Sequence, residues 1–239
     1  MDPAVENLND IIRVVDLAGV LGNSILGGIA ARAARLDLVG FGILAVLSGL
    51  GGGIIRDTLL QAGPPVALTD PYYLILALAG AIIAFLVPMR GKWTQSPLVL
   101  IDALAVGCWS AVGVQKALDN GLGWLPAIIL GMITAVGGGM VRDVLLMRVP
   151  SIFGGNTLYA TSSLAASIVT LVLIELRQPE LGALAAILTG AGLSLLARRF
   201  GWVLPTEVRI PKPRLLGNWR RRSSRPEHPH GDSPPARDG

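Results

Sequence analysis

Long apolar runs separated by short polar segments dominate the chain. A helix needs about 20 predominantly apolar residues to cross the hydrocarbon core of a bilayer. Seven runs come close, over residues 11–31, 38–60, 72–89, 97–115, 124–146, 156–176 and 181–199, the third being the shortest. They predict an all-α membrane protein with seven transmembrane helices. Tyr72, Tyr73, Trp93, Trp124 and Trp202 fall where the runs meet polar sequence, the depth expected of an interfacial aromatic belt, whereas Trp109 lies well inside a span.

The runs repeat. A shift of 86 residues aligns Asp16 with Asp102, Val20 with Val106, Gly27 with Gly113 and Ile43 with Ile129 without a gap. The same shift lays GGGIIRDTLL, from Gly51, on GGGMVRDVLL, from Gly137, and reaches Tyr73 and Tyr159. Two three-helix units are expected, residues 10–90 and 96–176. Because an odd number of spans separates them, the second must enter the membrane from the opposite side, giving inverted repeats. Residues 181–200 form an unrepeated seventh helix, and residues 203–239, rich in Pro, Arg, Ser and His, read as a disordered basic cytoplasmic tail.

Composition fits this picture: 52% of residues are hydrophobic and 15% charged, the inverse of what a water-soluble surface needs. The formal charge is +4, with much of the Lys and Arg beyond residue 197, so nucleic-acid binding is a poor reading of the basic balance. The single cysteine, Cys108, is in an apolar run, and both histidines, His228 and His230, are in the tail. No disulfide framework, metal cluster, cofactor site or Ser-His-Asp set can be drawn from these residues, and no enzyme is expected. The acidic start MDPAVENLND lacks the basic region and cleavage site of a signal peptide, so the first run counts as a span. Arg32, Arg35, Arg90, Lys92, Arg148, Arg198 and Arg199 lie on one side with the tail, against Arg13, Lys116 and Arg177 on the other. The positive-inside rule then puts the N-terminus outside and the C-terminus in the cytoplasm. The run Trp219 to Arg222 is a solvated tail or a contact for anionic lipid headgroups.

Candidate chemistry concentrates in the doubled motif. Each glycine in a helix interior costs about 1 kcal/mol relative to alanine, so triplets kept twice need a reason. One is close helix packing, with Gly49 and Gly53 forming a small-residue face. The other is a helix break whose freed carbonyls, with the Ser48 and Thr134 hydroxyls, line an ion path through Gly51, Gly52, Gly53, Gly137, Gly138 and Gly139. At about 1.5 Å per residue the triplets lie roughly 20 Å into their helices. Arg56, Asp57, Arg142 and Asp143 then sit at depths where an unpaired charge costs about 2.5–3.5 kcal/mol. Asp16 and Asp102 are candidate partners of Arg56 and Arg142, and the adjacent Asp57 and Asp143 are the alternatives, although neighbouring helical positions point about 100° apart and do not pair easily. An ion-pair network that only holds the helices in register is the plainer alternative.

GLGGG at Gly49 has no βαβ surroundings and no GK[ST] follows, which excludes nucleotide-binding loops. GGGMVRD is similar to a signature of template-independent RNA nucleotidyltransferases, but it lies in a span without upstream paired carboxylates. Two inverted three-helix units, each with GGGxxRD, followed by a seventh helix, resemble the bacterial branch of the trimeric intracellular cation channel family over about residues 10–200. The resemblance implies a homotrimer of the bacterial plasma membrane. Each subunit would have its own pore for monovalent cations, chiefly potassium, shaped by glycine-broken second and fifth helices. Animal members carry a lysine-bearing motif where this chain has GGGIIRD, so the lipid-dependent gating linked to that motif is not carried over. Similar bacterial sequences also bear a glycine transporter label, which makes a carrier of a small amino acid the alternative, with Arg56 or Arg142 binding the substrate carboxylate. A packing or assembly protein without transport is the third class.

Overall fold

The computed structural model describes residues 3–87, 92–153 and 158–202. The predicted tail and Arg90 lie outside them. The described residues form α1 (Pro3–Ala33), α2 (Leu38–Leu60), the short α3 (Val66–Thr69), α4 (Pro71–Leu86), α5 (Lys92–Asp119), α6 (Trp124–Leu145), a 3₁₀ turn (Ser151–Phe153), α7 (Tyr159–Glu175) and α8 (Pro179–Phe200). Five helices are long and apolar enough to cross a membrane, and α4 and α7 are shorter apolar helices in the third place of each unit. The seven predicted spans are these seven helices. Differences fall at the ends: α1 begins eight residues before its apolar run, and α5 starts at Lys92 and carries Pro97 inside. Pro97 has no N–H to donate, so it removes one helical hydrogen bond near the start of α5 without ending the helix. Asp37 and Asp70 set helix starts by taking the Gly40 and Tyr72 amides, at 2.7 and 3.0 Å.

Helices α1, α2 and α4 pack on one another, as do α5, α6 and α7, and the two triangles meet through α1 on α5 and α2 on α6. Helix α8 lies on α5 and α7. A Cβ built on Gly52 would fall 2.1 Å from the Thr134 carbonyl oxygen, and one on Gly138 2.2 Å from that of Ser48. Residue numbers thus fall on one helix as they rise on the other, so α2 and α6 cross antiparallel. Gly19 against Ala105 and Gly22 against Ile101 give the same sense for α1 and α5. Equivalent helices of the two units therefore run in opposite directions, the inverted arrangement expected from the odd number of spans.

The glycine triplets do not break their helices. α2 and α6 run continuously through Gly51–Gly53 and Gly137–Gly139, and the expectation of freed carbonyls gives way to close packing. Gly51, Gly52, Gly137 and Gly138 are the crossing itself, where a Cβ on Gly137 would stand 2.9 Å from the Gly52 Cα. Without side chains the two backbones touch, and the dispersion contacts so gained offset the weak helix propensity. The Thr134 hydroxyl donates to the Leu130 carbonyl at 2.7 Å, within its own helix, while the buried Ser48 hydroxyl has no partner.

Replacing Gly52 or Gly138 by Ala is expected to cost about 1–3 kcal/mol, as overpacking against rigid backbone does. Gly42→Ala, where a Cβ meets nothing within 4 Å, should be neutral or stabilising by up to about 1 kcal/mol. Thermal unfolding of the three variants in one detergent checks the ordering.

Candidate functional site

Beyond the crossing, each helix presents its Arg-Asp pair. The Arg56 Nε donates to Asp57 Oδ1 at 2.8 Å and its Nη2 to Oδ2 at 3.1 Å, with both residues buried. The Arg142 Nε donates to Asp143 Oδ1 at 3.2 Å. Of the two alternatives, each arginine therefore pairs with its own neighbour and not with Asp16 or Asp102. The guanidinium folds back into space that the third glycine leaves open: a Cβ on Gly53 would meet only Arg56 Nη2 at 3.8 Å, and one on Gly139 only Arg142 Nη2 at 3.7 Å. A long flexible stem thereby overcomes the angular offset of adjacent positions.

The two aspartates also hold the next connector. Asp57 Oδ2 accepts the Val66 amide at 2.9 Å and Asp143 Oδ2 the Ser151 amide at 3.0 Å. Both amides open short helical turns directly after a proline, Pro65 and Pro150, where N–H groups lack intrahelical partners. Those prolines, eight and seven residues past the aspartates, were the available signal for this role.

Asp16 and Asp102 take different partners. Asp16 accepts from the Tyr73 hydroxyl and from Trp109 Nε1, the latter at 2.7 Å. Asp102 accepts the Tyr159 hydroxyl at 2.9 Å, Arg198 Nη2 at 3.1 Å, and the Asn23 side chain. Tyr73 thus points inward to a carboxylate instead of serving the interfacial belt, while Tyr72 stays exposed. Asn23 and Trp109 are themselves 86 residues apart. Each first-helix aspartate is held by the tyrosine of its own unit and by a side-chain N–H from the first helix of the other.

The groups enclose two cavities. One, of about 100 Å³, is lined among others by Asp16, Gly53, Arg56, Asp57, Tyr73 and Lys116. The other, of about 210 Å³, is lined by Asn23, Asp102, Gly139, Arg142, Tyr159 and Arg198 among others. Since α2 and α6 are antiparallel and each arginine lies past the crossing on its own helix, the cavities occupy opposite ends of the bundle. Val20 and Leu50 line the first cavity and Val136 the second, and with Val106 they are buried in one apolar cluster, which we call the waist. They too are repeat equivalents, Val20 with Val106 and Leu50 with Val136.

Two cations break the symmetry, and their role was not visible beforehand. Lys116 Nζ lies 3.2 Å from Asp57 Oδ1, and its equivalent position is Ala30. Arg198, on the unrepeated α8, lies 3.1 Å from Asp102 Oδ2. Asp16 and Asp57 are balanced by Arg56 and Lys116, and Asp102 and Asp143 by Arg142 and Arg198. No group of three or more metal-ligating side chains occurs among the described residues.

Inverted three-helix units, a seventh helix and a charged cavity on each side of an apolar waist define a polytopic membrane protein of inverted-repeat construction. A family model described as Glycine transporter matches the chain twice, over residues 13–89 and 99–175, and the chain belongs to that family. A UPF0126 membrane protein of Deinococcus radiodurans is 34% identical over 203 residues, covering 84% of this chain and 91% of that one. The UPF0126 inner membrane protein YadS of Escherichia coli strain K12 is 35% identical over 159 residues, 65% of this chain and 75% of its own. Among solved structures, a TRIC cation channel studied for the basis of its conductance superposes with a TM-score of 0.75 at 31% identity, covering 82% of this chain and 97% of that one. The TRIC trimeric intracellular cation channel orthologue from Rhodobacter sphaeroides gives 0.71 at 26% identity, over 80% and 99%.

Asp57→Asn leaves Arg56 as a buried charge without a full counter-charge and is expected to destabilise by about 3–5 kcal/mol. Arg56→Gln should cost a similar amount. The double variant should be less destabilised than the sum of the two, and a double-mutant cycle on thermal stability in detergent measures that coupling.

Proposed function

We propose that the chain is a channel for monovalent cations, potassium among them, with one pathway through each subunit of a homotrimer. The observation that carries this reading is the pair of repeat-related charged cavities reaching from opposite ends toward the waist of Val20, Leu50, Val106 and Val136. Similarity along nearly the full length of TRIC cation channels supports it. The four waist side chains are buried in one apolar cluster, and an apolar constriction of this kind can bar ions by dewetting. The path runs beside the glycine crossing, past Gly53 and Thr134 on one side and Gly139 on the other. Carboxylates offer cation sites, and the basic partners keep each cavity neutral at rest.

Our reading includes a bacterial plasma membrane, with the N-terminus outside and the C-terminus cytoplasmic; the arginine distribution along the loops supports that orientation, and the bacterial inner-membrane relative supports that membrane. The units, 10–90, 96–176 and the added helix 181–200, serve as its working parts. A second reading, carriage of a small zwitterion such as glycine, draws on the second cavity, where Arg142 and Arg198 stand beside Asp102. An amino acid could place its carboxylate on the guanidinium groups and its ammonium on the aspartate.

Purified protein in a planar bilayer under a KCl gradient should show discrete unitary currents reversing near the potassium potential. Silence together with radiolabelled glycine counterflow would replace the channel by the carrier. Val136→Thr, nearly isosteric but able to hold water at the waist, should raise open probability by roughly an order of magnitude if dewetting is the barrier. An unchanged open probability would locate the gate elsewhere.

A further inference from the structure

At one end of the first unit lies a cavity of about 470 Å³ lined by Arg32, Arg35, Leu36, Phe41 and Phe85. It shares no lining residue with the charged cavities. Arg32, in the last turn of α1, donates through Nη2 to the Ala84 carbonyl at 2.7 Å and to that of Phe85, so its guanidinium is fixed at the C-terminus of α4. Phe41 and Phe85 meet edge to face at 5.4 Å.

Arg35 has an unexpected backbone. It sits in the left-handed region, at φ 54°, in the residue that ends α1 with paired bonds from the Arg35 amide to the Arg32 carbonyl and from the Leu36 amide to the Ala31 carbonyl. That closing position favours glycine strongly. The repeat makes the comparison internal: residue 35 corresponds to 121, where α5 ends with the same two bonds, from Gly121 to Leu118 and from Leu122 to Ala117, and the residue is Gly121 at φ 76°. One unit uses the favoured residue, and the other accepts a disfavoured one that carries a guanidinium. Arg32 is likewise unmatched, its equivalent being Leu118.

Among the described residues the extra charge has no acid paired with it. Asp37 is the acidic neighbour, and its Oδ1 is engaged by the Gly40 amide at the start of α2. No carboxylate pairs with Arg32 or Arg35 among the described residues. The surroundings are those of a lipid contact at the end of a span: Leu38, Val39, Leu86 and Val87 are exposed, as is half of Phe85. Two guanidinium groups at the rim of an apolar, lipid-facing wall match a phosphodiester whose acyl chains continue along α2 and α4.

We infer that this cavity binds an anionic glycerophospholipid, its phosphate held between Arg32 and Arg35 and its chains against Phe41 and Phe85. A zwitterionic lipid offers the same phosphate but adds a cationic headgroup to a site that already carries two positive charges, so the site selects against it. The inference does not depend on whether the protein conducts.

The test uses the full chain in detergent, titrated with phosphatidylglycerol or phosphatidylcholine, reading thermal unfolding and lipid retention by native mass spectrometry. Phosphatidylglycerol should stabilise the wild type more than phosphatidylcholine does. Arg35→Gly installs the residue that the turn prefers, so its stability without lipid should match or exceed the wild type's. Its phosphatidylglycerol-dependent shift should nonetheless fall by about half or more, as expected when one of two cationic partners is lost. A variant that keeps the full shift overturns the site, as does a wild type that does not distinguish the two lipids. Inorganic phosphate reproducing the whole shift would overturn the lipid as occupant.

Discussion

The backbone contact between α2 and α6 at their glycines is the constraint on which the remainder of the structure rests. A methyl group at Gly52 or Gly138 would enter the van der Waals shell of a carbonyl oxygen on the facing helix. Only in the absence of Cβ atoms do the two helices come this close, and their closeness brings the apolar residues one position before each triplet, Leu50 and Val136, into a shared cluster with Val20 and Val106. The arginines, a turn further along, are carried to opposite ends. A wider crossing would leave room for water where these four side chains now meet.

Charge in such a bundle has to be neutralised locally, since each uncompensated ionised group inside a bilayer costs several kcal/mol. The structure does this with carboxylates that accept from several elements at once. Asp57 joins α2 to α5 and to the start of α3. Asp102 joins α5 to α7 and α8, and through Asn23 to α1. Stability and polarity are thus not opposed here: the groups that make the cavities polar are those that tie the helices together.

Much of this was legible in the sequence, because the hydrophobic period and the shift of 86 report directly on spans and on their inversion. The particular pairings were not. Angular offset left Arg56–Asp57 the less favoured of two pairings, but offset counts for little when four rotatable bonds and the space at Gly53 let the guanidinium turn back. The glycine break failed for a related reason: three weak helix formers lower the cost of interruption, but tertiary packing decides, and here continuous helices pack better. The roles of Lys116, Trp109 and Asn23 were not legible because their partners are on distant helices, and nothing in their local pattern marks which direction they face. Proline after the doubled motif, at Pro65 and Pro150, was a usable sign that free amides would sit near Asp57 and Asp143.

The departures from repeat symmetry show what symmetry alone does not provide. On the buried face of α4 stand Ala77, Ala81 and Ala84, and their equivalents on α7 are Ser163, Ser167 and Thr170, all buried. The hydroxyls are used inside the second unit: Ser163 bonds to Ser110 on α5 at 2.8 Å, Ser167 Oγ stands against Gly131 on α6, and Thr170 donates to the Ala166 carbonyl of its own helix. α8 supplies Arg198, so the second unit meets its surplus negative charge with a cation from the added helix, while the first meets its own through Lys116 from the partner unit. Two inverted copies of one sequence would present identical ends to the two faces of a membrane. Those faces differ in lipid, in potential and in solution, and it is through residues without a counterpart, Lys116, Arg198, Arg32 and Arg35, that this protein makes its two ends unlike.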